Sequence, residues 1–439
     1  VIGFHTAMLR KVLIITYYWP PGGGSGVQRW LKFSKYLREF GWEPIIYTPE
    51  NPEMAAVDTS LNKDIPDGLM VLKTPIFEPY GLYKMLTGRK EPLGAGFVNE
   101  SGKTGNLEMM SRWIRGNFFI PDARKYWIRP SVSYLTKWVE RNPVDAIVST
   151  GPPHSMHLIA HGLKQQTGLP WLADFRDPWT NIDFYDELRL SRRADRKHHQ
   201  LEAMVVQGAD RVTVVSPTME REFREEHHRN IITLTNGYDE DDIAVDYALP
   251  LHDNRFGIAH IGTMNPSRNP HGLWSSIAGL VESDRSLMSS INLRMIGRVD
   301  HSIKTAVQQC GLQSITDYVE YVPHDQVVAW QQGASVLLLL LNQSKNAQGI
   351  LPGKFFEYMA TGRPILCLGP TDSDAAAILR ETGSGVCLEY DDVEGITEWI
   401  RERLAEHPAM PTRSVSIGQF TRRSLTARLA GILDDLSKQ

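Results

Sequence analysis

Lys354 and Glu357 stand three residues apart in the run Gly349-Ile-Leu-Pro-Gly-Lys-Phe-Phe-Glu-Tyr-Met-Ala-Thr-Gly-Arg-Pro364. A loop bearing glycine and proline there opens a short helix near Gly353 or Lys354. The first turn of such a helix offers unpaired backbone N–H groups and the positive end of its dipole to an anion. Lys354 adds a full charge, and Glu357 falls near the same face one turn later. The pair suits a nucleoside diphosphate, with the ammonium on the phosphates and the carboxylate on the ribose hydroxyls. It also describes a surface i,i+3 ion pair worth about 0.5 kcal/mol or less. Spacing alone leaves both readings open.

Three further clusters carry chemistry. Pro20-Pro-Gly-Gly-Gly-Ser-Gly26 follows an apolar strand and precedes a helix, so Gly23 and Gly24 permit close backbone approach to a ligand. The loop is not a G-x-G-x-x-G fingerprint, and no acidic residue ends the next strand as a dinucleotide fold would require. A flexible turn is its other reading. Gly151-Pro-Pro-His154-Ser155 places an imidazole where a strand ends and a helix begins, able to donate to a bound sugar or to shuttle protons, or simply to cap the helix. Asp174-Phe-Arg176-Asp177-Pro-Trp179 puts two carboxylates, a guanidinium and an indole at another strand end. Unpaired charges beside an apolar strand cost several kcal/mol, so this cluster is either a ligand site or a structural Asp–Arg pair.

Some motifs are decoys. Ser101-Gly-Lys-Thr104 resembles the end of a phosphate-binding P-loop, but Gly96 lies one residue too far upstream and no strand precedes it. Asp239-Glu-Asp241 and Asp372-Ser-Asp374 have a D-x-D form in turn-like, solvated contexts, whereas a hard cation needs several converging oxygens.

These groups need strand ends to position them. Apolar runs predict strands at Lys11–Tyr18, Glu43–Thr48, Asp145–Thr150, Trp171–Phe175, Arg211–Val215 and Ile231–Thr235 in the first half. The second half repeats the pattern at Phe256–Ile261, Asn292–Gly297, Val319–Val322, Ser335–Leu341, Ile365–Gly369 and Gly385–Leu388. Amphipathic stretches intervene, including Gln28–Phe40, Ser131–Asn142, Met156–Thr167 and Asp186–Gln207. Short Val/Ile/Leu runs alternating with helices predict parallel sheets covered on both faces. The acidic, turn-rich stretch Gly237–Asn254 is the boundary. The expected fold class is α/β, with two Rossmann-like domains, 8–240 and 250–415, facing across a cleft with ligands at strand carboxyl ends. Residues 416–439 are expected to form a terminal helix crossing back to the first domain.

A chain of 439 residues exceeds what one core usually supports. A net charge of -4 argues against general nucleic-acid binding. Three cysteines with no C-x-x-C pair give neither a disulfide framework nor a zinc site and fit a reducing cytosol. The aliphatic run Leu337–Leu341 is far shorter than the ~20 residues of a spanning helix. Val1–Ala7, which precedes Met8, lacks the charged start and long apolar stretch of a signal peptide and is set outside the fold argument.

In order along the chain, the Gly22–Gly26 loop, Gly-Pro-Pro-His154, Asp-Phe-Arg-Asp-Pro-Trp, Asn236-Gly-Tyr-Asp239, Gly262-Thr-Met-Asn-Pro-Ser-Arg268 and Lys354-Phe-Phe-Glu357 with Thr-Gly-Arg-Pro364 resemble the GT-B glycosyltransferases of family 4 type. The resemblance spans nearly the whole chain. It implies a nucleotide-sugar donor bound mainly by the second domain, an acceptor in the first, anomeric retention, and neither metal nor cofactor. Glu357 matches the second glutamate of the family's E-x7-E motif, which holds the ribose. Arg268 stands at the diphosphate-binding lysine, Lys354 is a second diphosphate cation, and His154 matches the histidine near the transferred sugar. Gly262, Arg298, Gly349, Ile350 and Leu351 complete the expected donor site; Gly23, Gly24, Asp174, Arg176 and Asp177 are assigned to the acceptor side or cleft. Two positions depart from the pattern. Thr263 replaces an arginine, and Gly349 replaces the first glutamate, leaving Asn346 and Gln348 as candidates for the lost hydroxyl contact.

Trp113–Trp138 interleaves Trp113, Phe118, Phe119, Trp127 and Trp138 with Arg112, Arg115, Arg124, Lys125 and Arg129. It reads as a membrane-facing surface for a lipid-linked or lipopolysaccharide-type acceptor at the inner membrane face, or as an ordinary core with a solvated rim. The basic run Arg192, Arg193, Arg196, Lys197 is a possible aid or a solvated helix face. Two rival functions fit the same motifs, a nucleotide-sugar 2-epimerase and a non-catalytic nucleotide-sugar-binding scaffold.

Overall fold

Apolar strands alternating with helices assemble, in a computed structural model, into two parallel sheets, with residues 9–54, 57–78, 106–243, 255–320, 322, 324–407 and 414–438 described. The stretch Val1–Ala7, the Ser101–Thr104 run and residues 244–254 of the expected boundary lie outside the described residues. Of the described residues, those up to Thr235 and from Arg422 onward form one compact unit, and those between Asn236 and Thr421 form the other.

The first unit holds a seven-stranded sheet of order β3-β2-β1-β4-β5-β6-β7, parallel throughout. Its strands are β1 (Arg10–Ile15), β2 (Trp42–Pro49), β3 (Met70–Thr74), β4 (Ala146–Gly151), β5 (Trp171–Phe175), β6 (Arg211–Val214) and β7 (Ile231–Thr233). Alternation along β1 explains its unbroken apolar run. Leu13 and Ile15 enter the core on one face, Val12 and Ile14 the core on the other. The terminal helix Arg422–Leu436 covers that second face, burying Leu425, Leu429, Leu433 and Leu436 against the core that holds Val12, Trp30 and Trp42.

The second unit holds a six-stranded sheet of order β10-β9-β8-β11-β12-β13, again parallel. It comprises β8 (Phe256–Ile261), β9 (Ile291–Ile296), β10 (Thr316–Val319), β11 (Val336–Leu340), β12 (Ile365–Leu368) and β13 (Gly385–Leu388). Along β11, Val336, Leu338 and Leu340 face one core and Leu337 and Leu339 the other. Both sheets have the Rossmann-like order, which reverses between β1 and β4 and between β8 and β11. Loops after these strands open at the crevice where such sheets bind ligands.

Several elements differ from expectation. β3 was not foreseen; it is an edge strand whose Met70 is exposed, so its apolar pattern is weak. The strand expected at Val319–Val322 runs instead over Thr316–Val319, in register with Leu293–Ile296. The helix expected from Asp186 starts at Arg192, because Arg189 takes a left-handed φ of 48° and Ser191 accepts the Ala194 N–H as the cap. The terminal helix starts at Arg422, after a 3-10 turn over Val415–Phe420.

Candidate functional site

In the second unit the expected donor residues gather after β8, β9 and β11. Gly262 ends β8 with φ +128°, and its N–H donates to Ile296 O at 2.8 Å. Gly297 ends β9 with φ +113°, where an added Cβ would stand 2.7 Å from Gly262 O. Only glycine tolerates that conformation and that approach. The helix Gly353–Thr361 follows Pro352, which supplies no side-chain cap, and so presents its first amides. Lys354 reaches from its first turn to donate to Ile261 O at 3.2 Å, across the β8/β11 switch point. Burial, reinforced by the Arg268 charge and opposed by Glu357, brings its pKa down to about 7. Tyr358, one helical position beyond Glu357, steadies the same strand end: its hydroxyl accepts the Ile261 N–H at 3.0 Å.

Arg268 sits on a 3-10 turn, Pro266–Arg268, donating through Nε to Asn342 Oδ1 at 2.6 Å and through Nη1 to Thr263 O at 3.1 Å. Half-buried Glu357 accepts from Gln331 Nε2 at 3.3 Å. Arg298 is exposed just past β9. Gly349 and Ile350 belong to a tight turn, their N–H groups donating to Asn346 O and Ala347 O, while the Leu351 side chain is buried in the core. The candidates for the missing carboxylate are engaged locally: Gln348 Nε2 donates to Asp372 at 2.8 Å, and Asn346 Oδ1 accepts from Ser344. His260 escaped the sequence reading. It lies fully buried in β8 with Nδ1–H on Leu338 O at 3.0 Å, and burial plus the Lys354 charge hold it neutral. A lone histidine in an apolar strand was the available signal.

In the first unit, β1, β4 and β5 are adjacent, and the loops after them carry the other candidates. His154 makes no cap hydrogen bond. Its ring lies flat on Trp179, centroids 4.3 Å apart and planes 4° apart. Burial, then the neighbouring His157, push its pKa well below the ordinary range, and Nδ1 is buried without a hydrogen-bond partner. The helix it precedes is capped instead by Asp122, which accepts both Ser155 N–H and Ser155 Oγ–H at 2.8 Å. His157, also unforeseen, stacks on Phe175 and pairs with Ser149 Oγ at 2.8 Å.

Two cleft assignments are corrected. Asp174 does not face a ligand: it is 0% exposed and accepts from Arg29, Trp30 Nε1, Thr150 Oγ1 and Thr213 Oγ1 at 2.8–3.2 Å. Its lone pairs are spent within the sheet. Arg176 likewise spends its guanidinium on the carbonyls of Gly26, Gly151 and Pro152, tying the glycine loop to the His154 loop. Asp177 alone of the three charges is exposed. Gly24 takes φ +97° and is exposed before the helix Ser25–Tyr36, with Gly23 half-buried beside it.

Residues 23–237 match the family model of the glycosyl transferase 4-like domain. Solved structures share the fold over almost the full chain. Sucrose-phosphate synthase from Thermosynechococcus elongatus is 14% identical with a TM-score of 0.57, covering 98% of this chain and 97% of its own. WaaG, a glycosyltransferase involved in lipopolysaccharide biosynthesis, is 14% identical with a TM-score of 0.54, covering 97% and 95%. Anabaena HepE, solved in complex with UDP and glucose, is 14% identical with a TM-score of 0.54, covering 98% of each. No curated protein matches the chain by sequence. The chain thus carries a glycosyl transferase 4-like domain over residues 23–237 and shares the fold of these GT-B proteins along almost its whole length.

Proposed function

We propose that the protein transfers a sugar from a nucleotide-sugar donor to a glycan or lipid-linked acceptor, with retention and without a catalytic metal or cofactor, in cell-surface polysaccharide or lipopolysaccharide synthesis. Lys354 carries this reading: a cation at an open helix N-terminus, held at the β8/β11 switch point with Arg268 close by. There the donor diphosphate meets two cations and a helix dipole, which take the place a metal ion fills in other transferases. Glu357 holds the ribose hydroxyls. The Gly349 and Ile350 carbonyls accept from the sugar hydroxyls, because Gln348 is committed to Asp372 and the N–H groups of both residues are spent within the turn. The HepE complex with UDP and glucose and the lipopolysaccharide role of WaaG support these substrate classes.

In the proposed step the acceptor oxygen bonds to the anomeric carbon on the face the diphosphate leaves. The carbon–oxygen bond to phosphate breaks with its electron pair going to the diphosphate, and the acceptor proton passes to that departing oxygen. Lys354 and Arg268 stabilise the charge that develops. Neutral His154 serves as a hydrogen-bonding group to a sugar hydroxyl, in the first unit.

The Trp113–Trp138 segment divides. Trp127 is buried, stacked on Tyr47, and donates to Thr74. Met110, Trp113, Ile114 and Phe118 are exposed on the helix Asn106–Phe118. No helix among the described residues is long and apolar enough to cross a membrane. We place the protein at the cytoplasmic face, with this helix as peripheral anchor, and assign it no nucleic-acid partner.

The test is thermal unfolding with a panel of nucleoside diphosphates and sugar nucleotides, for wild type and Glu357→Ala, followed by nucleotide release with and without acceptor glycans. A midpoint shift with one nucleotide, lost in the variant, and acceptor-dependent release support the transferase. Release or isomerisation without acceptor indicates the epimerase, and binding without turnover the scaffold.

A further inference from the structure

Away from both clusters, the helices Arg192–Gly208 and Pro217–His227 bring Glu202, Glu226 and His227 together, with one ligating atom of each within 4.8 Å of the others. Glu202 and Glu226 line a pocket together with Glu222, Glu225, Asn181 and Phe223. Clustered carboxylates alone prove nothing, since most are merely solvated. Two features separate this group. His227 is only 5% exposed, and its Nε2 is buried with no hydrogen-bond partner while standing 4.0 Å from Glu226 Oε2. Glu202 is 1% exposed and accepts from Thr180 Oγ1 and from the Trp179 backbone N–H. Among the described residues no lysine or arginine forms an ion pair with any of these glutamates. A buried carboxylate without a counter-cation is costly.

We propose that Glu202, Glu226 and His227 bind a first-row divalent metal, Zn2+ or Mn2+, as a structural clip between the two helices. The donor set is mixed, one imidazole nitrogen with carboxylate oxygens, which favours these ions over Mg2+ and Ca2+. Ligands bonded to zinc at about 2.1 Å stand roughly 3.4 Å apart, so donor atoms already within 4.8 Å of one another have to close by at most ~1.4 Å, with exposed Glu226 the free arm. The imidazole is already fixed. Phe223 packs edge-on against its ring, and Gln207 Nε2 donates to His227 O at 2.7 Å. Water completes the coordination at the open side. Because Thr180 hangs from Glu202 and adjoins Trp179, the clip would also brace the loop on which His154 stacks. It supplies no charge to the transfer step, whose metal independence is a separate matter.

The experiment is calorimetric titration of chelator-stripped full-length protein with ZnCl2, MnCl2, MgCl2 and CaCl2, paired with thermal unfolding. Wild type is expected to bind one Zn2+ or Mn2+, with a raised unfolding midpoint, and to prefer it at least tenfold over Mg2+ and Ca2+. His227→Ala and Glu202→Gln, the latter still able to accept from Thr180, should each weaken binding at least tenfold, and Glu225→Gln on the rim less than threefold. Variants that melt cooperatively without metal are the ones scored, and Glu226→Gln replaces either that does not. No Zn2+ or Mn2+ binding by folded wild type, or binding unchanged in the scored variants, overturns the proposal.

Discussion

The Lys354 ammonium and the Ile261 carbonyl are joined by a 3.2 Å hydrogen bond that crosses the switch point of the second sheet. This bond leaves the side chain where burial and Arg268 hold its pKa near 7, far below a solvated lysine.

Nucleoside diphosphate affinity should therefore depend on pH. In the ligand-free protein Lys354 is charged below pH 7 and neutral above it, so affinity falls as pH rises from 6 to 8. Proton uptake on binding grows over the same range. Lys354→Arg should flatten the profile, and Lys354→Ala should lower turnover on the order of 10²–10³. Isothermal titration in buffers of different ionisation enthalpy reads both effects. A flat wild-type profile would show that the ammonium does not meet the phosphates.

Gly262→Ala tests the strand end that Lys354 shares. A Cβ there would lie 3.2 Å from Lys354 Nζ and force φ +128° on an alanine. The expected cost is about 1–3 kcal/mol of stability, with weakened nucleotide binding because the ammonium is displaced. Gly353→Ala is the control, since a Cβ there meets nothing within 4 Å; it should leave stability within ~1 kcal/mol of wild type.

Acid should destabilise the first unit through its buried histidines. His157 is depressed to about 3 and His154 lies well below the ordinary range, burial being the chief cause in each. Between those values and about 6.5 the unfolded chain binds protons that the folded protein does not. Stability is thus full above pH 6.5 and is lost as pH falls toward 4. His157→Gln should reduce the slope of unfolding midpoint against pH in that window. An unchanged slope would mean that these imidazoles are not the protonation sites.

The parts legible in the sequence were those fixed by neighbours along the chain. Trp171–Phe175 and Phe256–Ile261 announce themselves as apolar runs bounded by polar turns, and both are strands with those limits. Lys354 and Glu357 are one turn apart on a single helix, so their spacing carries their geometry. What stayed hidden depends on distant pairing. The partners that neutralise Asp174 come from Arg29, Trp30, Thr150 and Thr213, and no local pattern marks them. The stack of His154 on Trp179 and the meeting of Glu202 with His227 likewise arise from packing between elements. Met70–Thr74 was missed because an edge strand buries little.

The exposed face of Asn106–Phe118 should bind bilayers. Met110, Trp113, Ile114 and Phe118 expose apolar side chains, with Trp113 at 41% and Phe118 at 60%. Such residues seat in the headgroup boundary of a membrane. Co-sedimentation with vesicles of mixed neutral and anionic lipid should show binding by wild type and at least a tenfold loss in Trp113→Ser/Phe118→Ser. Stability should change little, because neither side chain joins the core. Equal sedimentation of both proteins would refute the anchor.

Asp174→Asn separates a structural carboxylate from a ligand-binding one. Its charge is matched by Arg29, whose guanidinium also donates to the carbonyls of Leu234 and Thr235. Neutralising one member of such a buried pair costs about 3–5 kcal/mol, because the remaining charge is left without compensation. The unfolding midpoint should fall on the order of 10 °C. Asp177→Asn, at an exposed carboxylate, should move it by no more than about 2 °C. If Asp174 acted mainly on a ligand, the pattern would reverse: stability would hold while acceptor KM rose. Measuring midpoint and acceptor KM on both variants therefore decides between the roles, since a buried pair and a ligand contact shift different observables.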